Sequence, residues 1–163
     1  QDYINAIHDA AKRHQQLIKQ IGDLVPHWSM KPLLEALCLM KGINLLAAAT
    51  ILSVTGDLRR FPTPMQLGAY FGLVPSEHSS GASVKRFRLT KAGNCEARRV
   101  LIQGAWSYRF PARVTKDKEP RLSRAEQNVR DVAWRAQVRL CKRYRRLIAV
   151  GKQAPVACAA VAR

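Results

Sequence analysis

The chain has 163 residues and a formal net charge of +17, with 28 Lys and Arg against 11 Asp and Glu. Hydrophobic residues make up 47% of it, which excludes a disordered tail and allows a packed core. The longest apolar run, 43–54, is too short to span a bilayer, and there is no secretory signal, so we expect a cytoplasmic protein with no membrane partner. The charge favours a polyanionic partner, with nucleic acid ahead of a membrane surface or a ribosome.

Cysteines and acids predict no metal site in this chain. Cys38, Cys95, Cys141 and Cys158 are widely spaced without a CxxC pair, which is typical of buried thiols in a reducing compartment. The acidic residues form no cluster on a strand pattern, so we expect no cofactor here. Because the chain begins with Gln1 rather than Met, we also expect it to be part of a longer protein.

Residues 1–30 predict a helical arm. Apolar or small residues recur at steps of three and four, which is the pattern of a coiled-coil seam: Ile4, Ile7, Ala11, Ile18 and Ile21, with His14 in the same series. Pro26 ends the helix. We expect the arm to pack on another helix of this chain or of a second copy.

Residues 31–110 predict a core that starts with two helices, about 33–40 and 45–54. The turn between them, Lys41-Gly42-Ile43-Asn44, resembles a helix-hairpin-helix, in which backbone N–H groups meet a DNA phosphate. Lys41, Gly42 and Asn44 are therefore candidate DNA contacts. Asn44 replaces the usual second glycine, and Asn tolerates the left-handed backbone. An ordinary helical hairpin is the alternative interpretation.

A serine- and glycine-rich loop, 72–81, follows a short predicted helix at 63–70. Ser80, next to Gly81, can expose its hydroxyl for attack on a phosphodiester. Nearby cations can bind the phosphate under attack: Lys85, Arg86, Arg88 and Lys91. The alternative is a solvated turn beside a DNA-binding strand. Residues 82–90 are expected to form a small β-hairpin or an extended basic loop.

Gly93 and Asn94 introduce a predicted helix from about 95 to 108, with Arg98 and Arg99 near its start. A helix N-terminus favours anions, and arginine there is unfavourable unless a phosphate is bound. Asn94, Arg98 and Arg99 are therefore candidate phosphate ligands. A surface arginine pair is the alternative.

Residues 111–163 predict basic C-terminal helices after a polar connector at 111–120. One long helix is expected from Ser123 to about Val150, and a last helix near Pro155. On the long helix four cations share one face, here called the cationic stripe: Arg135, Arg139, Lys142 and Arg146. The whole pattern predicts a mainly α fold.

A family resemblance is carried by KGINLLAAATILSVTGDLRRFPTPMQLGAYFGLVPSEHSSGASVKRFRLTKAGNCEARRVLIQGAW. This segment resembles the carboxy-terminal domain of an insertion-sequence transposase family that also contains the Piv-type DNA invertases. The resemblance covers roughly residues 34–163, and the arm fits the family's coiled-coil insertion. It implies a DNA transposase that shares its active site with an amino-terminal RuvC-like domain outside this chain, whose DEDD acids hold Mg²⁺. It also implies dimers or tetramers and, in some members, a bridge RNA that chooses the DNA.

The resemblance also implies roles for individual residues. Ser80, which precedes glycine, would be the nucleophile, with Ser79 as the near alternative. Lys91 and Arg98 would contact phosphate, while Gly93 and Asn94 would shape the helix start. A phosphoserine ester would let strands be rejoined without ATP. The resemblance names no general base, and His78 is a candidate because it is close to Ser80 in the sequence. The alternative function is a helical DNA- or RNA-binding or oligomerisation module whose serine is structural.

Overall fold

The fold is mainly α-helical, as the sequence predicts. The computed structural model describes residues 1–80 and 83–163, with the backbone alone at 78–80 and 83–87. Its α-helices are α1 (Asp2–Leu24), α2 (Lys31–Leu39), α3 (Leu45–Thr55), α4 (Pro64–Tyr70), α5 (Cys95–Ala105), α6 (Glu119–Arg124), α7 (Gln127–Ala149) and α8 (Ala154–Ala162). Short 3₁₀ turns at Val25–His27, Leu58–Arg60 and Trp106–Arg109 follow α1, α3 and α5. No helix in this described part of the chain is long and apolar enough to cross a membrane.

Helix α1 forms the predicted arm. Residues 1–17 are exposed, and Tyr3 and Ile7 keep 87% and 68% of their surface in solvent. The C-terminal end of α1 packs on α3, where Gly22 lies beside Leu45. The amphipathic pattern therefore forms a helix whose apolar face is covered only near its end, and its pairing with a second copy stays a prediction.

Helices α2 and α3 form a hairpin with an apolar interior. Their buried residues are Leu34, Cys38, Ala48 and Leu52. The opposite side of α3 packs against α5 around a second buried cluster, Ile51, Phe71, Leu73 and Ala97. Helix α3 is thus covered on both sides, and the turn that precedes it lies against α5.

A third core joins α5, α7, α8 and the 3₁₀ turn Trp106–Arg109. It contains Ala105, Tyr108, Cys141, Tyr144, Ala157, Cys158 and Val161. The predicted boundary between 31–110 and 111–163 therefore runs through a shared hydrophobic interior. The three proposed segments, including the arm at 1–30, stay predictions as independent domains.

Helix α7 starts later than the sequence indicates. Ser123 lies in α6, where its hydroxyl donates to the Pro120 carbonyl at 3.1 Å instead of capping α7. Ala125 and Glu126 are extended, with ψ of 151° and 149°, and they separate the two helices. The predicted single helix is therefore two, because α6 turns to pack against α2.

Two antiparallel strands, β1 (Pro75–Ser80) and β2 (Ser83–Leu89), connect α4 to α5. Pro75 lies opposite Leu89 and Glu77 opposite Arg86, with a bulge between these pairs. The serine-rich stretch predicted as a loop is thus strand β1. Pairing satisfies its backbone groups and outweighs the modest strand propensity of its residues.

Candidate nucleic-acid interface

The turn at residues 39–44, here called the shielded turn, faces the protein. Gly42 has a φ of +81°, and a Cβ there would lie 2.1 Å from the Gly104 carbonyl oxygen in α5. Asn44 is extended, with φ −105° and ψ −178°, and its side chain accepts a 2.8 Å hydrogen bond from the Ala47 amide, which caps α3. Asn44 therefore needs no left-handed backbone, and Gly42 is required by a helix contact.

Two lysines join the shielded turn to the segment 110–118. Lys41 is buried, and its ammonium donates to the Pro111 carbonyl at 2.6 Å and to the Phe110 carbonyl at 3.5 Å. The Lys118 ammonium donates to the carbonyls of Cys38 (2.6 Å), Met40 (2.6 Å) and Ile43 (3.0 Å). Burial lowers the pKa of Lys118. The sequence predicts a phosphate contact for Lys41, whereas the structure directs its ammonium to backbone carbonyls.

The hairpin neck, residues 70–74 and 89–93, holds the base of β1 and β2. Gly72 has a φ of +65°, and a Cβ there would lie 2.0 Å from the Ala92 oxygen. Gly93 has a φ of +93°, and its Cβ would lie 2.0 Å from the Tyr70 oxygen. Both sides of the neck therefore approach each other at a distance that only glycine permits.

Arg98 joins the two sides of the hairpin neck. Its Nη1 donates to the carbonyls of Phe71 (3.0 Å), Lys91 (3.1 Å) and Ala92 (3.4 Å). Lys91 has a φ of +54° and an exposed side chain. Asn94 caps α5 by accepting a 3.0 Å bond from the Ala97 amide, in agreement with the expectation that it shapes the helix start.

Two further predicted phosphate ligands lie on the surface near the neck. Arg88 is exposed, and its backbone carbonyl accepts a 3.0 Å bond from the Ser76 hydroxyl across the hairpin. Arg99 is exposed and forms an ion pair with Glu96, one turn earlier on α5. Because an exposed pair of this kind is weak, Arg99 remains available to a stronger anion.

The side chains of four predicted site residues lie outside the described part of the structure: Ser79, Ser80, Lys85 and Arg86. Their backbones belong to the strands, with Ser79 opposite Val84 and Ser80 opposite Ser83. The assignments to these residues therefore stay predictions, as does that of His78.

The cationic stripe is exposed on α7 along its whole length, roughly 16 Å. The opposite face packs inward through Ala133, Gln137, Cys141 and Tyr144. Arg143, which the sequence reasoning left out, lies between the faces, and its pKa is lowered by partial burial and by the positive charges of Arg163, Arg146 and Arg139. Its spacing of four residues from Arg139 is the signal that could have found it.

Arg163 connects this cationic region with the hairpin neck. A Cβ at Gly68 in α4 would lie 3.3 Å from the Cγ of Arg163 and 3.9 Å from a methyl group of Val74, which belongs to the neck. The end of α8 therefore packs beside α4 close to the base of the hairpin. Arg163, whose positive charge acts on Arg143 of α7, thus lies beside the base of the hairpin.

Within the described residues, no group of three His, Cys, Asp or Glu side chains lies close enough to hold a metal ion. Three cysteines are buried as predicted, Cys38, Cys141 and Cys158, while Cys95 is exposed at the start of α5. Burial raises the pKa of the Cys38 thiol and that of the Cys158 thiol. Burial therefore favours the protonated form of the Cys38 and Cys158 thiols.

Fold and surface together define a basic, mainly helical domain with an exposed cationic helix face and a two-stranded hairpin. The chain belongs to the IS116/IS110/IS902 transposase family, whose model matches residues 34–119. This confirms the predicted insertion-sequence transposase family, while membership in the Piv-type class stays a prediction.

Individual relatives agree with the family assignment. The chain is 48% identical over 143 residues to the putative transposase y4qE of Sinorhizobium fredii, covering 88% of this chain and 37% of that protein. It is 30% identical over 104 residues to the insertion element IS110 uncharacterized 43.6 kDa protein of Streptomyces coelicolor, covering 64% of this chain and 24% of that protein. It is 39% identical over 64 residues to the transposase for insertion sequence element IS1111A of Coxiella burnetii, covering 39% of this chain and 18% of that protein. The chain thus spans between about a fifth and two fifths of the length of these relatives.

Proposed function

We propose that this chain is the nucleic-acid-binding and serine-bearing part of a DNA transposase. The observation that carries the proposal is the cationic stripe of α7, whose four Lys and Arg side chains are all exposed while the opposite face of the helix is buried. Clustered like charges destabilise a fold unless a polyanion neutralises them, so this surface suits a phosphate backbone. Membership in a transposase family makes DNA the first candidate.

The proposed chemistry is a pair of transesterifications at Ser80, with Ser79 as the alternative. The serine Oγ attacks a DNA phosphorus, a P–Oγ bond forms, and the bond to the leaving deoxyribose oxygen breaks. The serine proton passes through a general base, for which His78 is the candidate, to that leaving oxygen. A deoxyribose hydroxyl of the new strand then attacks the phosphoserine ester and restores the serine. Each step exchanges one phosphate ester for another, so ATP is not required.

The remaining parts of the proposal concern partners outside this chain. A RuvC-like domain would supply Mg²⁺ through its own acids, a bridge RNA would select the DNA, and a dimer or tetramer would form through α1. The exposed apolar face of α1 supports the last point, since Tyr3, Ile4 and Ile7 are each more than half exposed. Deleting residues 1–24 should lower the number of subunits per particle in solution. An unchanged number of subunits would exclude a role for α1 in assembly.

The first test uses the intact transposase with its nucleic-acid partners, as wild type, Ser80→Ala and Ser79→Ala. We expect a covalent protein–DNA adduct on denaturing gels that disappears with Ser80→Ala and persists with Ser79→Ala. The reverse pattern would move the nucleophile to Ser79. Recombination without any adduct would exclude the covalent mechanism.

A second candidate function, a non-catalytic nucleic-acid-binding module, is favoured by the cationic stripe alone. It predicts that Ser80→Ala leaves recombination unchanged. Both functions predict that replacing the four stripe cations with Gln weakens binding and lowers the slope of log affinity against log salt by about 3 to 4. Recombination by Ser80→Ala therefore separates the two functions, and the salt slope tests the surface that they share.

A further inference from the structure

We propose that Arg98 is a positioning residue, which joins the beginning and the end of the hairpin neck and so fixes the hairpin that carries Ser80. Its effect on strand exchange rests on the function proposed above. Its effect on the conformation of the neck does not, and the two are tested separately.

The Arg98 guanidinium is hydrogen-bonded to both sides of the hairpin neck. One nitrogen, Nη1, donates to Phe71 before β1 and to Lys91 and Ala92 after β2, at 3.0–3.4 Å. These acceptors are about twenty residues apart in the chain, so a single cation connects both ends of the hairpin segment. Charge-assisted bonds to carbonyls are stronger than neutral ones.

These bonds hold a strained stretch of backbone at Lys91. Lys91 adopts a left-handed φ of +54°, which a residue with a Cβ disfavours. Its carbonyl accepts from Arg98, and its amide donates to the Gly72 carbonyl at 3.1 Å. The strained conformation therefore persists because both backbone groups of Lys91 are tied to the neck.

The backbone around Arg98 is closely packed on both sides of the neck. Gly72 and Gly93 each lie where a Cβ would be 2.0 Å from a carbonyl oxygen on the other side of the neck. Additional backbone bonds run from Thr90 to Val74 (2.9 Å) and from Leu73 to Gly68 (2.9 Å). The neck is therefore tightly packed on α4, and Arg98 is its side-chain connection to α5.

This role differs from the phosphate contact that the family resemblance implies for Arg98. A phosphate ligand directs its guanidinium to solvent, whereas Arg98 is half-buried and directs Nη1 to protein carbonyls. Arg99 is the matched control, since it follows on the same helix but is exposed and pairs with Glu96.

The test compares the intact transposase with Arg98→Gln, Arg98→Lys and Arg99→Gln. Hydrogen–deuterium exchange should rise on the order of tenfold at the Thr90 and Lys91 amides with Arg98→Gln, and stay unchanged in α7 and with Arg99→Gln. Strand exchange at saturating nucleic acid should fall about 10²-fold with Arg98→Gln, because small displacements of reacting groups carry such penalties. Arg98→Lys should recover part of both, since Lys118 shows that an ammonium can also bind three carbonyls.

The salt dependence of binding separates positioning from phosphate contact. A positioning role predicts an unchanged slope with Arg98→Gln, whereas a lost phosphate contact lowers it by about 0.9. Unchanged amide exchange, a lowered salt slope, or undiminished strand exchange despite faster amide exchange would each overturn the proposal. If Ser80→Ala recombines normally, the proposed function fails, while the amide exchange still tests the connection made by Arg98.

Discussion

The shielded turn and the hairpin neck share the same kinds of local interaction but leave their lysines in opposite environments, one buried and one exposed. Each has a glycine pressed against a carbonyl, Gly42 on Gly104 and Gly93 on Tyr70. In each region an asparagine caps the next helix, and one cation donates to three carbonyls. In the shielded turn that cation, Lys118, comes from a distant connector and covers the turn.

In the hairpin neck the cation comes from the helix that follows, and the lysine of the neck is exposed. Lys41 is buried by its contacts, whereas Lys91 presents its ammonium to solvent. The comparison teaches that a glycine–asparagine turn with a neighbouring lysine does not by itself identify a phosphate site. The direction from which the carbonyls receive their donor decides which lysine stays exposed.

The largest expected effects come from adding a Cβ at the glycines of both regions. Gly42→Ala, Gly72→Ala and Gly93→Ala should each lower the free energy of unfolding by about 3 kcal/mol or more, through backbone clash and left-handed strain. Gly151→Ala is the control, because its φ of +80° is similar but no atom lies within 4 Å of the added Cβ. It should cost about 1 kcal/mol, measured by urea unfolding. Equal costs at all four positions would contradict the close approaches.

The next largest effect concerns Lys118, the cation that donates to the shielded turn. Lys118→Met should lower the free energy of unfolding by about 2 to 3 kcal/mol, because it leaves carbonyls of the shielded turn without their donor. Lys116→Met, at an exposed position two residues earlier, should change it little. Nucleic-acid binding by folded Lys118→Met should keep the wild-type salt slope, and a lower slope would mean that Lys118 contacts phosphate.

Stability at alkaline pH tests the burial of the Tyr108 hydroxyl, near the residues that contact the shielded turn. Burial raises the pKa of Tyr108 to about 12 from its ordinary value of 10.0, and Tyr108 lies just before the carbonyls that accept from Lys41. The unfolded chain therefore loses this proton first, and stability falls as pH rises from about 10 to about 12. The expected loss between pH 10 and pH 11.5 is about 2 kcal/mol, at 1.36 kcal/mol for each pH unit above the ordinary pKa.

Tyr108→Phe should remove most of this alkaline loss, as measured by urea unfolding at pH 9 and pH 11.5. The comparison is the difference between the two pH values within each protein, which cancels titrations that both share. An identical alkaline loss in the variant would assign the effect to other groups.

The smallest expected effect concerns the strained lysine of the hairpin neck. Lys91→Gly should raise the free energy of unfolding by about 1 kcal/mol or less, because glycine accepts a positive φ without strain. If the ammonium of Lys91 contacts phosphate, the same variant should bind nucleic acid more weakly, with a salt slope lowered by about 0.9. A more stable variant with unchanged binding would leave Lys91 with no part in the interface.

Much of the fold was predictable because it depends on local pattern. The three- and four-residue spacing on α1 and α7 indicates helices, and the stripe cations of α7 are exposed as that spacing requires. The cap by Asn94 follows from the preference of asparagine for helix starts. The division at Ala125 was missed because extended residues between two helices carry no glycine or proline signal.

The functional surface was less predictable, since it combines residues that are distant in the chain. Arg143 could have been placed by helical spacing, but its repulsion from Arg163 depends on α8 folding back against α5. The bonds of Arg98 to Phe71 and of Lys118 to Cys38 cross 27 and 80 residues. Spacing arguments cannot reach such contacts, because they describe one helix or one turn at a time.

By itself the sequence determined the helical class, the glycine turns, the cationic stripe and the transposase family, because these follow from periodicity, backbone freedom and similarity along the chain. Only the tertiary structure decided that the turn at Gly42 is covered while Lys91 is exposed. That decision depends on which carbonyls Lys118 and Arg98 reach, and a buried carbonyl must be paired by whatever donor the fold brings to it.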